Sequence, residues 1–193
     1  MNTFRIRIDL ARYRPKIWRR LLIRSDLPLY DFHLAIQIAM GWENSHLHQF
    51  IKDKTFYSER LEDDWTWDDS HNKDYEGMII SDLLIKEKDK IEYEYDFGDG
   101  WVHEIKLEKI LPADEAMKSP VCTDGALASP PEDCGGIWGY AQMLEILKDP
   151  GHGQHEETLE WVGETFDPEF FDIEAVNKLL KKHLRYSKSI PKP

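Results

Sequence analysis

The residues in this sequence best suited to chemistry begin with two histidines, His46 and His48, separated by a single leucine. In an extended segment, side chains two positions apart point to the same face. Two strand histidines can then share a metal ion if a carboxylate or a thiolate completes the ligand set. The sequence does not identify such further ligands. We therefore favour a polar pocket and predict neither a metal nor any other cofactor.

A third histidine, His103, follows the turn Gly98-Asp99-Gly100 in a stretch of alternating polar and apolar residues. A two-residue turn would pair His103 with Asp96, but it would also mix the polar and apolar faces of both strands. A three-residue loop keeps the faces apart and puts Gly100 at a left-handed position that glycine adopts without strain. We therefore predict a hairpin with its loop at 98–100.

The predicted register of this hairpin sets Phe97 opposite Trp101 and Tyr95 opposite His103, and it leaves Asp96 on the polar face. His103 then lies among aromatic rings. The interpretation that we favour is a core histidine bonded to a tyrosine hydroxyl or a backbone carbonyl. The alternative is a ligand or proton carrier that lines a pocket, because imidazole titrates near neutral pH.

A second dense motif contains Glu132, Asp133, Cys134, Gly135 and Gly136, just before a helix predicted at about 138–148. The glycines leave backbone N–H groups free to hold an anion at the helix start. Equally, they allow close packing while Asp133 caps the helix. A cysteine near a helix start can have a lowered pKa, but no histidine is locally placed as a base, so a catalytic thiol is not favoured.

These segments lead to the first functional hypothesis, a non-catalytic binding or regulatory domain whose pocket receives a small ligand or a peptide. The predicted pocket residues are His46, His48, Asp99, Trp101, His103, Glu132, Asp133, Cys134, Gly135 and Gly136. No catalytic residue is predicted.

Charge is spread unevenly along the chain, which carries a formal net charge of −12. Eight basic residues and a single acid, Asp9, precede residue 25. We interpret these side chains first as the polar face of two strands, paired with acids elsewhere in the fold. The alternative is an anion-binding or nucleic-acid-binding patch, which the net charge does not favour; its residues would be Arg14, Lys16, Trp18, Arg19 and Arg20.

The elements that must position these residues are strands in the first half and helices in the second. Strands are expected at 4–10, 16–23, 46–51 and 54–58 and on both sides of the turn at 98–100, with helices at 30–40, 81–84, 138–148, 156–162 and after Asp172. This order predicts an α+β fold. We expect an antiparallel sheet of about five or six strands, roll-like, with helices packed on one face.

Length predicts a single domain over 1–186 with a polar tail at 187–193. Residues 62–76 are rich in aspartate without a period and predict a solvated loop. No apolar run is long enough to cross a membrane, and no apolar signal region opens the sequence, so we expect a cytoplasmic protein without a membrane partner. Two cysteines are too few for a secreted disulfide scaffold, and reduced thiols are expected.

Several motifs together resemble the Ri-plasmid ORF-three-like family, whose members also occur as TnpR-like passenger proteins of insertion elements. The resemblance spans nearly the whole chain. It is carried by residues 16–20, 41–42, 45–48, 95–101 with His103, 131–136 and 166–169. It implies a compact α+β domain associated with mobile elements, and it implies no particular activity.

Resolvase activity is not expected, because Ser25 lies in a proline-flanked loop and the C-terminal half is acidic. Two alternatives to the binding domain remain open. One is a nucleic-acid-binding accessory protein that uses the basic N-terminal strands. The other is a metal-dependent hydrolase, whose ligands the sequence does not place. The ligand or protein partner itself is not identified.

Overall fold

Eight strands and five helices lie in the residues that the computed structural model describes, 1–60, 67–68 and 70–186. In chain order they are β1 (Thr3–Leu10), β2 (Trp18–Arg24), α1 (Leu29–Met40), β3 (His48–Lys52), β4 (Thr55–Ser58), β5 (Asn72–Asp74), α2 (Ile80–Leu83), β6 (Lys90–Tyr95), β7 (Trp101–Leu111), β8 (Val121–Ala126), α3 (Gly136–Lys148), α4 (His155–Val162) and α5 (Ile173–His183). None of these helices has the length and apolar character needed to span a bilayer.

All strands join one open sheet in the order β5-β4-β3-β6-β7-β1-β2-β8. Neighbours are antiparallel except β4 and β5, which are parallel. The α+β prediction is confirmed, but the expected five or six strands are too few. The two missed strands form the edges of the sheet. Short, polar edge strands bury little apolar surface, so β5 inside the aspartate-rich stretch and β8 among prolines show no clear period.

One face of the sheet is buried against helices, and the other carries charged side chains. Strand residues Ile6, Ile8, Leu21 and Ile105 are completely buried in the core, with side chains of α1, α3 and α5 packed in the same cluster. Helix α1 ends where predicted, with Gly41 in the left-handed conformation at φ 78°. The covered face therefore has the alternation that the sequence indicated.

Strands β3 and β4 form the expected hairpin around a two-residue turn. Asp53 and Lys54 have φ of 50° and 65°, the positive values that a type I′ turn requires. At the other end of the chain, the side chain of Asp172 accepts a hydrogen bond from Ala175 N and caps α5 as predicted. Residues 61–66, 69 and 187–193, and with them the predicted tail, lie outside the described residues.

The register of the β6–β7 hairpin differs from the predicted one by two residues. Tyr95 pairs with Trp101 and Tyr93 with His103, so five residues, 96–100, form the loop. The chain leaves the ladder at Asp96 because its φ is 55° and its N–H donates to the carbonyl of Leu47. An even shift preserves the faces of both strands, so His103 still points into the core.

Candidate functional site

Three loops meet at the end of the sheet where β3 begins and where β6 turns into β7. The Tyr95 hydroxyl joins them, because it donates to Glu132 and accepts from the backbone N–H of Ser45 at 2.9 Å. The indole of Trp42 donates to the carbonyl of Pro130 at 2.9 Å. The three segments that contain the predicted pocket residues, 46–48, 99–103 and 132–136, are therefore close to one another. Tyr95, which holds them together, was predicted only as a strand residue.

A cluster of three ligand-type atoms lies between these loops. His46 Nε2 is 3.2 Å from an oxygen of Asp133 and 3.8 Å from an oxygen of Asp96, and the three atoms all lie within 4.8 Å of one another. Asp96 is buried, although the sequence placed it on the polar face of a strand. The five-residue loop explains the difference, since it turns Asp96 out of the ladder.

His48 does not share this cluster with His46, contrary to the pairing that their spacing indicated. The ladder of β3 begins only at His48, so the two residues are not on one continuous strand. His48 is buried, bonds to the Tyr75 hydroxyl at 2.9 Å, and stacks on His33 with ring centroids 3.5 Å apart. Burial and the neighbouring His33 lower the pKa of His48 to about 3.

His33 belongs to a buried hydrogen-bond chain that was not predicted from the sequence. Gln37 donates to the Tyr93 hydroxyl, which bonds His33 Nδ1 at 2.7 Å, while His33 Nε2 faces the Asn44 side-chain oxygen at 2.6 Å. Burial lowers the pKa of His33 to about 4. The signal that would have revealed this chain is the four-residue spacing of His33 and Gln37 on the buried side of α1.

His103 is completely buried, in agreement with the core interpretation, but it lacks the expected hydrogen bond. Neither of its ring nitrogens reaches hydrogen-bond geometry with a described residue. Its ring packs edge-on against Trp42 and tilts against Tyr93. Burial lowers the pKa of His103 to about 4, while the backbone groups of Tyr93 and Trp101 act in the opposite direction. It is a neutral core imidazole at physiological pH.

The turn before α3 is closely packed, which was one of the two predicted roles of its glycines. A Cβ on Gly136 would lie 2.5 Å from the carbonyl oxygen of Asp99. The side chain of Asp99 accepts from Gly135 N at 3.2 Å. Gly135 rather than Asp133 is the N-cap residue of α3. An acidic side chain therefore already faces the N–H group that the alternative assigned to an anion.

Cys134 lies in the same turn, and its surroundings disfavour the thiolate. Burial first, and then the negative charges of Asp99 and Asp133, raise the pKa of the Cys134 thiol to about 12. The pKa of the Cys134 thiol is thus raised, and not lowered as that of a cysteine near a helix start can be. Cys134 and Asp133 also line a separate cavity of about 300 Å³ between α3 and α4.

Beside the loop cluster lies a cavity of about 210 Å³. Leu47 and Phe97 form part of its wall, and both are exposed, at 58% and 51%. The remaining lining residues are His48, Gln49, Ser58, Glu59, Trp67 and Asn72. The ten predicted pocket residues are thus divided among the core, the loop cluster and two cavities, and only His48 lines this one.

The basic strands β1 and β2 present few free cations. Arg19 is 1% exposed and donates to the carbonyls of Ala39, Trp18 and Ala126. Burial lowers its pKa to about 10. Arg20 pairs with two acids, Glu108 and Asp124.

The other residues of the predicted anion-binding or nucleic-acid-binding patch are Lys16 and Trp18, which contact charged side chains, and Arg14, which is exposed. Lys16 lies 3.2 Å from Asp9, and the Trp18 ring is covered by Arg7 at 3.9 Å. These contacts follow the first interpretation, in which the basic side chains pair with acids across the sheet. Ser25, the serine considered for resolvase chemistry, is buried, and its hydroxyl accepts from the N–H of Asn2.

The fold and the site define a small α+β protein with an open sheet, a buried histidine–tyrosine layer and a cluster of carboxylates with one histidine at the sheet end. A model of the family described as plasmid pRiA4b ORF-3-like protein matches residues 2–175. The chain belongs to this family.

Two relatives with similar sequences carry no assigned activity. An uncharacterised protein, y4hQ, of Sinorhizobium fredii (strain NBRC 101917 / NGR234) is 36% identical over 179 residues, which cover 92% of this chain and 90% of the relative. The crystal structure of a protein of unknown function, MM3350 from Methanosarcina mazei Go1, is 36% identical with a TM-score of 0.77 and covers 90% of this chain and 96% of its own.

Proposed function

We propose that this protein is a non-catalytic binding domain and that the 210 Å³ cavity beside the loop cluster receives its ligand. The observation that carries the proposal is the pair of exposed apolar side chains, Leu47 and Phe97, at the mouth of a cavity that also reaches the buried His48. Apolar walls around a few polar groups are the usual composition of a ligand site.

The size and the lining of the cavity indicate the class of ligand. Its volume is below the roughly 300–1,000 Å³ of pockets for drug-sized molecules, so it suits a single aromatic ring with one polar group. Glu59 contributes the carboxylate of the lining, and His48 stays neutral because its pKa is lowered to about 3. A cationic or uncharged polar group therefore fits better than an anion.

A binding role is supported over a catalytic one by the state of the candidate nucleophile. The Cys134 thiol has its pKa raised to about 12, which leaves little thiolate near neutral pH. We do not propose nucleic-acid binding through the basic N-terminal strands as a second function, since Arg19 is buried and Arg20 is paired with acids. We extend the proposal to a regulatory role and to an association with mobile elements, because the family is described by a plasmid open reading frame.

A titration with small aromatic amines and matched acids tests the proposal. Phenethylamine and phenylacetate would be added to isotope-labelled protein and followed by amide chemical shifts. We expect phenethylamine to shift the amides of Leu47, His48 and Phe97, and phenylacetate to bind more weakly because Glu59 repels it.

Two substitutions of exposed apolar residues provide the matched comparison. Phe97→Ser should weaken binding of phenethylamine by about 10-fold, since it removes roughly 1–3 kcal/mol of apolar contact. Ile85→Ser should leave it unchanged, because Ile85 is also exposed, at 67%, and lies outside the cavity lining. Equal effects of both substitutions, or no shift at millimolar ligand, would refute the assignment of this cavity.

A further inference from the structure

We infer that His46, Asp96 and Asp133 form a binding site for one divalent transition-metal cation, with Mn²⁺, Co²⁺ or Zn²⁺ as the fitting class. The inference is independent of the ligand cavity. It starts from three side chains on three different loops whose donor atoms lie within 4.8 Å of one another.

The spacing of the donor atoms matches a shared cation. A metal about 2.0–2.2 Å from each nitrogen and oxygen ligand sets neighbouring ligand atoms roughly 3.0–3.5 Å apart. His46 Nε2 lies 3.2 Å from the Asp133 oxygen and 3.8 Å from the Asp96 oxygen. The Asp96 and Asp133 oxygens lie within 4.8 Å of each other, and movement of the exposed Asp133 side chain would bring the three donor atoms to the spacing of metal ligands.

The burial of Asp96 is the second, independent observation. Asp96 is buried, with 11% of its side chain exposed, and no described lysine or arginine pairs with it. A buried carboxylate normally pairs with a cationic side chain or coordinates a metal. Its Oδ1 accepts from Gly98 N at 3.0 Å, which leaves Oδ2 directed at His46. A backbone N–H on one carboxylate oxygen is the arrangement that orients a metal ligand through the other.

The imidazole nitrogen is also left without a proper partner. His46 Nε2 has no exposed surface and makes no hydrogen bond with a described residue, although the ring as a whole is 28% exposed. The acidic oxygens within 4 Å of this nitrogen among the described residues belong to Asp133 and Asp96. A metal would use the lone pair that this geometry leaves free.

The surrounding charge favours a cation. Glu43, Asp99 and Glu132 lie on the same three loops, and none of the described ion pairs joins them to a lysine or arginine. The mixture of one imidazole and two carboxylates suits manganese, cobalt and zinc better than calcium or magnesium, which prefer oxygen alone. The Asp133 side chain is 72% exposed, so water molecules would complete the coordination.

The test is a titration of the chelator-treated full chain with Co²⁺, followed by visible absorption and calorimetry. We expect one Co²⁺ per chain and weaker binding at acidic pH, because protons compete for the ligand atoms. Asp133→Asn should weaken binding at least about 10-fold, and His46→Gln should abolish the visible band. Asp133 is exposed, so its variant will fold even if the His46 variant does not.

Two control substitutions make the outcome decisive. Glu43→Gln removes a neighbouring exposed acid that supplies charge but no ligand atom, so it should weaken Co²⁺ binding much less than Asp133→Asn does. His71→Gln removes a histidine from the exposed pair that it forms with Asp68 at 3.3 Å, and it should have no effect. Binding lost in His71→Gln but kept in His46→Gln, or a dissociation constant above about 1 mM, would overturn the inference.

Discussion

Histidines in this protein show how strongly the environment of a residue decides its chemistry. His33, His48 and His103 are buried, and their pKa values are lowered to about 4, 3 and 4. His46 lies at the rim and faces two carboxylates. The buried three are neutral groups of the core, whereas His46 faces the acidic side chains of two other loops.

The buried histidines predict acid sensitivity of the fold. In the unfolded chain they bind protons near 6.5, the ordinary pKa of imidazole, but in the folded protein only near 4 or below. The unfolded state therefore binds more protons between these values, so the free energy of unfolding should fall as the pH drops from 6.5 to 4. A shift of this size in the pKa of one histidine changes the free energy of unfolding by roughly 3 kcal/mol.

Chemical denaturation at a series of pH values measures this effect. His103→Leu should reduce the slope of stability against pH by up to about 1.4 kcal/mol per pH unit, because it removes one buried proton acceptor. Ile85→Ser, which removes no titratable group from an exposed position, should leave the slope unchanged. An unchanged slope in His103→Leu would show that this imidazole does not titrate with folding.

At the scale of the elements, α3 packs so closely against its preceding turn and the β6–β7 loop that two of its positions have no room for a Cβ atom. A Cβ on Gly139, inside α3, would lie 1.8 Å from the carbonyl oxygen of Cys134. A Cβ on Gly136 would touch the backbone of Asp99. Gly136 lets the helix start against the loop that holds Asp96, and Gly139 lets the turn at Cys134 lie against the first turn of α3. Both glycines therefore help to position the cluster.

Gly139→Ala should therefore destabilise the protein, even though alanine favours helix more than glycine does. We expect a loss of roughly 2 kcal/mol or more, because the turn at Cys134 must move. Gly153→Ala, where a Cβ would meet nothing within 4 Å, should change stability by less than about 0.5 kcal/mol. Urea unfolding compares the two, and equal stabilities would disprove the close packing.

At the scale of the whole molecule, the N-terminal hairpin lies inside the sheet. Strand β1 pairs with β7 as well as with β2, and β2 pairs with β8. Arg19 of β2 extends this connection, since it donates to Ala39 in α1 and to Ala126 at the end of β8. Its guanidinium also packs 3.8 Å from the Phe171 ring. One side chain thus joins a strand, a helix and the edge of the sheet.

Arg19→Lys should lower the free energy of unfolding by roughly 2–4 kcal/mol, because lysine cannot reproduce the planar set of donors and leaves buried carbonyls unpaired. Arg20→Lys should lower it by about 1 kcal/mol or less, since the pairs of Arg20 are partly exposed. Thermal and urea denaturation measure both. A larger effect at Arg20 would contradict the structural role assigned to Arg19.

Much of the fold was predictable from local patterns. The alternation in 4–10 and 91–107 indicated strands, and the spacing in α1 with Gly41 indicated a helix and its end, because each pattern reports which side of an element is buried. The strands β5 and β8 were not predictable, since their pairing rather than their own burial makes them strands. The hairpin register was also missed, because its loop depends on the contact of Asp96 with Leu47.

The sequence by itself determined the α+β class, the covered face of the sheet and the three segments that meet at its end. Only the tertiary structure decided that His46 joins Asp96 and Asp133 while His48 turns to His33, and that Arg19 is buried. The physical reason is that side-chain periodicity is local. Which loops touch, and therefore which donor atoms converge, depends on strand register and on packing between segments far apart in the chain.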